Sequence, residues 1–156
     1  MTQADIFASV RGWLESEGWT FDFSEEKCLL RTKVALNNAM TSAQLIVDVK
    51  DDFYLVYVIS PVKGVEENLG ELMKFLSMAN FGLTNGNFEL DVSDGEFRYK
   101  TFVNCDGIDK LPATVIQDSL CMGCAMMDRY GDSLVALSMG QSTAQVEISK
   151  VESIVE

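Results

Sequence analysis

Two thiols carry the one spacing in this chain that could do chemistry. Cys121 and Cys124 enclose Met122 and Gly123, and cysteines at this separation serve redox enzymes and zinc sites. Each use has a further requirement. A redox thiol gains reactivity at a helix N-terminus, where unpaired N–H groups and the dipole lower its pKa. These two fall in the third turn of a helix expected to open at Pro112, where no such help exists. Zinc needs further ligands, and only Cys28 and Cys105 remain, without a second CxxC. A helical projection sets Cys124 beside Ile116, Leu120 and Met127, and turns Cys121 toward Gln117, Asp128 and Ala125. The expectation is a structural Cys124, behaving as a small hydrophobe, and an incidental Cys121. A thiol-based redox sensor using Cys121 and Cys124 is the alternative.

The chain has no histidine. That removes Ser-His-Asp and Cys-His nucleophiles, HExxH metal sites and the histidine-ligated zinc deaminases. Asp91, Ser93, Asp94 and Glu96 look superficially like calcium ligands. With Gly95 as the sixth position of an EF-hand loop, however, Leu90 would be the first, and no glutamate stands at the twelfth. Glu25-Glu26 and Glu66-Glu67 are sequence neighbours whose side chains diverge on a strand or helix, so neither is a carboxylate pair for acid–base work. Phosphate loops of the GxxxxGK[ST] or GxGxxG kind are absent. The sequence therefore predicts no catalytic residue, no metal and no cofactor, in a protein that is not an enzyme.

Charge narrows the partners. Twelve Lys plus Arg stand against 24 Asp plus Glu, a net charge of −12, and that field repels phosphates and anionic headgroups. No Lys/Arg run offsets it, so neither nucleic acid nor membrane is an expected partner. The longest apolar run, Phe53 to Ile59, is far shorter than the ~18 residues of a membrane span. Asp5, Arg11 and Glu15 interrupt the opening stretch, which does not read as a signal peptide. The expected location is the cytoplasm.

The elements that would position these residues follow from periodicity. Ile6, Phe7, Val10, Trp13 and Leu14 recur at helical spacing before Gly18. Short strands are expected at Trp19–Phe23 and Cys28–Leu36, then a hairpin of Gln44–Lys50 and Phe53–Ser60, ended by Pro61. Val65 to Ala79 reads as a second helix. Asp94-Gly95 suits a two-residue hairpin turn, which would set Val92 opposite Phe97, Leu90 opposite Tyr99 and Glu89 opposite Lys100. Pro112 opens a third helix that runs to at least Tyr130. The order α-β-β-β-β-α-β-β-α predicts an α+β, two-layer fold with a curved, mainly antiparallel sheet flanked by helices. One domain is expected over residues 1–140, with 141–156 as a short helix or frayed tail.

The third helix is also a surface. Ile116, Leu120, Met127 and Leu134 form one apolar stripe, and Val115, Met122 and Met126 form a second beside it. A sheet face consumes only about half of so wide an arc. The excess at Val115, Met122 and Met126 is the candidate partner-binding site, since methionine suits surfaces that adapt to a partner.

The run FLSMANFGLTNGNFELDVSDGEFRYKT (75–101), followed by LPATVIQDSLCMGCAMMDRYGDSLVALSMG (111–140), resembles the YbjN family, proposed bacterial sensory-transduction regulators, and in particular the cyanobacterial variety. The likeness implies a fold similar to type III secretion chaperones, often assembled as a homodimer, with no established enzymatic activity. It implies no catalytic residue. Cys121-Met122-Gly123-Cys124 is not a feature of that family. The expected function is a non-enzymatic, chaperone-like or regulatory protein-interaction module with a protein partner. A small-molecule-binding domain is a further alternative.

Overall fold

The computed structural model of the chain describes residues 1–153. Helix α1 (Gln3–Ser16) is followed by strands β1 (Asp22–Ser24), β2 (Leu29–Ala35), β3 (Ser42–Val49) and β4 (Phe53–Lys63). Helix α2 (Leu69–Asn80) then leads to β5 (Asn87–Leu90), β6 (Glu96–Asn104) and helix α3 (Ala113–Ser138). The α+β class and the order agree with the sequence reading. A 3-10 turn at Glu66–Asn68 precedes α2, and a further helix, α4 (Ala144–Glu152), follows α3.

Strand alternation decides which face of the sheet is covered. Ala43, Leu45, Val47 and Val49 of β3 are buried, as are Tyr54, Val56 and Val58 of β4. The six strands pair antiparallel in the order β1-β2-β3-β4-β6-β5. The helices pack on the buried face: α3 on β4 and β6, α1 on β3 and β4, α2 on β5, and α4 outside them on α2 and α3. Each fully buried Leu or Val is worth about 1.5–3 kcal/mol by the apolar area it removes from water. An aromatic cluster joins the layers, with Tyr130 of α3 edge-on to Phe75 (6.0 Å) and Phe88 (5.3 Å), and Phe88 edge-on to Tyr99 (5.0 Å).

The β5–β6 hairpin departs from the expected register by two residues. Leu90 pairs with Phe97 and Glu89 with Arg98, rather than with Tyr99 and Lys100. The loop takes four residues, Val92 to Gly95, because local side chains and a neighbouring strand hold it. Asp91 Oδ1 accepts from Ser93 N at 2.9 Å and Asp94 Oδ1 from Glu96 N at 2.9 Å. Gly64 N donates to Gly95 O at 2.9 Å. Gly95 has φ +80°, and a β-carbon there would lie 1.9 Å from Gly64 O, so only glycine fits. A shift of two preserves the faces. Val92 moves from the ladder into the loop, and it is exposed.

Two other differences have local causes. β4 runs through Pro61 instead of stopping at Ser60, because the register shifts between Ile59 and Lys63 and the proline sits in that irregularity. Ser60 Oγ accepts from Val62 N at 3.0 Å there. The segment 141–156 resolves into α4 as far as it is described; residues 154–156 lie outside the described residues. Thr143 begins α4, its Oγ1 accepting from Val146 N at 3.4 Å.

Candidate docking surfaces

Helix α3 continues without a break through Gly123 and Gly131, with Pro112 at its N-cap. Gly123 seats it against the sheet. A β-carbon there would lie 2.6 Å from Val58 Cγ2 and 3.2 Å from Val58 Cβ. Within Cys121-Met122-Gly123-Cys124, the residue with a structural demand is therefore the glycine.

Val115, Met122 and Met126 are half-buried and packed against the core. The surplus arc read from the sequence is thus partly consumed by the chain's own fold. Helix α4, packed on α2 and α3, buries Ala144, Ile148 and Val151. Polar clasps hold it down: Ala144 N donates to Glu71 Oε2 at 2.6 Å and Ser133 Oγ to Glu147 Oε2 at 2.7 Å. Burial pushes the Glu147 carboxyl up, and hydrogen bonds from Ser142, Lys150 and Ser133 outweigh it, leaving the pKa below the ordinary value.

The thiols sit where the sequence placed them, Cys121 exposed and Cys124 half-buried with Sγ 3.4 Å from Leu120 O. Their pKa values move away from reactivity. Burial, aided by the charges of Cys121 and Asp128, pushes Cys124 up to about 12. Burial and Asp118 raise Cys121 as well. Thiolate is the nucleophile, so this environment lends the redox reading no support. Among the described residues, no three His, Cys, Asp or Glu gather as metal ligands, and no helix is long and apolar enough to cross a membrane.

The surface that sequence reasoning missed is the other face of the sheet. Ile46 pairs with Tyr57, Gln44 with Ile59 and Leu55 with Phe102, all on the side away from the helices. Ile46, Leu55, Tyr57 and Ile59 are half-buried, and Phe102 is 55% exposed with its ring 5.3 Å from that of Phe53. Charged residues flank this apolar middle. Arg98 lies 3.9 Å over the Tyr57 ring and bonds Glu89 at 2.8 Å, and Lys100 also pairs with Glu89. Burial raises the Glu89 pKa, but the hydrogen bonds from Lys100 and Arg98 win and hold it below the usual carboxylate value. On the opposite flank, Arg31 and Lys33 line an open groove of about 490 Å³ with Gln44, Ile59 and Pro61. The signal was present in the sequence: both alternating sets of β4, Phe53-Leu55-Tyr57-Ile59 and Tyr54-Val56-Val58, are apolar, as if both faces were to be covered.

A helical layer on one face of a single antiparallel sheet, with the other face open and apolar at its centre, defines the class to which the chain belongs. In solved structures, that fold is matched by YbjN from E. coli, a candidate transcription regulator. The TM-score is 0.55 at 13% identity, over 80% of this chain and 92% of that one. A chain of the heterodimeric ExoU–SpcU complex from the type III secretion system of Pseudomonas aeruginosa matches at a TM-score of 0.44 and 18% identity, over 75% of this chain and 93% of that one. The likeness to YbjN shows the fold that residues 75–140 led us to expect. No family model matches the chain, and no curated protein matches it.

Proposed function

We propose that the chain is a non-enzymatic, YbjN-like protein-interaction module of the chaperone-like or regulatory kind, working in the cytoplasm and docking a protein on the open face of its sheet. The observation that carries this reading is the apolar centre Ile46, Leu55, Tyr57 and Ile59, left without a covering layer among the described residues and bordered by charge. An apolar middle inside a polar rim is the anatomy of a protein interface. The area is sufficient. Six strands ~4.8 Å apart and about 23 Å long on average make a plane of roughly 650 Å², close to the ~800 Å² per partner of a standard interface. The α3 flank of Val115, Met122 and Met126 is half-buried as well, and is proposed as a contact for a second copy.

The test uses the wild-type chain, Tyr57→Asp and Met126→Asp as baits in native cytoplasm, with quantitative mass spectrometry of what each retains. Tyr57→Asp is expected to lose a client that the wild type holds, and Met126→Asp to lower the mass measured by sedimentation. If all three baits retain the same proteins and remain monomeric at every concentration, the reading is wrong.

A further inference from the structure

We infer that the free outer edge of β2 binds an extended, carboxylate-bearing segment of a protein partner as an added strand. The inference rests on the reading of the chain as an interaction module and names the chemistry of its partner. β1 pairs only with Leu29–Arg31 of β2, and Thr20 lies against Thr32, whose Oγ1 donates to Thr20 O at 2.7 Å. Among the described residues, no strand therefore lies beside the outer edge at Lys33–Ala35. The ladder tells which groups that edge presents. Leu36 N donates to Thr41 O at 2.8 Å, and Cys28 O accepts from Val49 N at 3.0 Å, so the even-numbered residues of β2 turn their backbone groups to β3. Backbone groups alternate sides along an antiparallel strand. Lys33 and Ala35 therefore turn their N–H and C=O outward. No proline stands between Leu29 and Ala35 to block pairing.

Charge selects which strand is admitted. The lysines and arginines of β4 and β6 are paired, Lys63 with Asp94 and Arg98 and Lys100 with Glu89, and Lys50 beyond β3 is paired with Asp48. Arg31 and Lys33 are exposed, and among the described residues neither is in an ion pair. Two residues apart on one strand, they stand on one face, the open one, since Arg31 pairs with Ile46 and Lys33 with Gln44. A strand laid along Lys33–Ala35 would set its alternate side chains on that face, beside both cations and over the groove they line. The carboxylates of that groove, Asp22 of β1 and Glu96 of β6, make no ion pair with either cation among the described residues. Glutamates at those positions would find partners. A second copy is disfavoured, because a two-fold pairing of this edge would set Arg31 and Lys33 against their own kind. The chain's net charge of −12 does not decide the contact, because salt screens charges more than about 8 Å away under physiological conditions.

The full chain is titrated with two blocked ten-residue peptides, one alternating Thr with Glu and one alternating Thr with Lys, while backbone amides are followed by NMR shift and hydrogen exchange. The Glu peptide is expected to bind at least tenfold more tightly than the Lys peptide and to protect the amides of Lys33 and Ala35. Arg31→Glu with Lys33→Glu should invert the preference. Ala35→Pro, which deletes one outward donor at an edge that tolerates proline, should weaken binding at least fivefold. Equal affinity for the two peptides, protection away from 32–35, or a doubled mass that Ala35→Pro abolishes would each overturn the inference. If the Glu peptide fails to bind while Tyr57→Asp still loses a client, the edge inference falls and the interaction module stands. If neither effect occurs, both fall.

Discussion

Replacing Gly123 by alanine tests how α3 is seated on the sheet. In a helix interior alanine is favoured over glycine by about 1 kcal/mol. At Gly123 the new methyl would lie 2.6 Å from Val58 Cγ2, and Val58 is a stiff, fully buried residue on a central strand. Overpacking of this kind costs about 1–3 kcal/mol, so Gly123→Ala should be neutral to destabilising by about 2 kcal/mol. Gly12 of α1 is the control, with nothing within 4 Å of its would-be β-carbon, and Gly12→Ala should stabilise by about 1 kcal/mol. Urea unfolding followed by circular dichroism reads both as shifts in midpoint at constant slope. A third variant removes the obstruction. Gly123→Ala combined with Val58→Ala should be more stable than the sum of the two single effects by about 1–3 kcal/mol, the coupling expected of residues in contact. If Gly123→Ala stabilises as much as Gly12→Ala, α3 is not held at the distance described and the argument fails.

Two further expectations concern titratable groups. With the Cys124 thiol pushed up to about 12 and Cys121 raised as well, alkylation by iodoacetamide at pH 8 should be slower at both than for a free cysteine peptide, and slowest at Cys124. Alkylation faster than the peptide would restore the redox reading. Glu147 has a lowered folded pKa, so the stability it contributes is present above its unfolded value of about 4.5 and is lost as pH falls through the folded value. Wild type should therefore melt above Glu147→Gln at pH 6–7, with the gap closing below pH 4.5; a gap independent of pH would refute the role of that carboxylate in clasping α4.

Much of the fold was legible because local rules and global packing agree. The apolar spacing of Ile6, Phe7, Val10 and Leu14 predicts α1, and all four are buried. The β5–β6 hairpin failed in register because Asp94-Gly95 satisfies more than one turn. Its choice was made by Asp91 and Asp94 and by Gly64 of a segment some thirty residues away. The candidate site was less legible. The apolar arc on α3 was visible at Val115, Met122 and Met126, but that the chain's own core takes up part of it was not. Conversely, the apolar alternation on the second face of β4 was visible, and nothing in one dimension says that no layer lies over it.

Composition and residue order alone determined that the chain is acidic, lacks histidine and alternates helices with antiparallel strands, since these depend on residue type and near-neighbour spacing. Tertiary structure decided the rest: that the glycine between two cysteines is a contact point, that α4 packs on α2 and α3, and that, among the described residues, no helix covers the second face of the sheet. Those facts depend on which distant segments meet in space, and burial acts on that meeting whatever the distance along the chain.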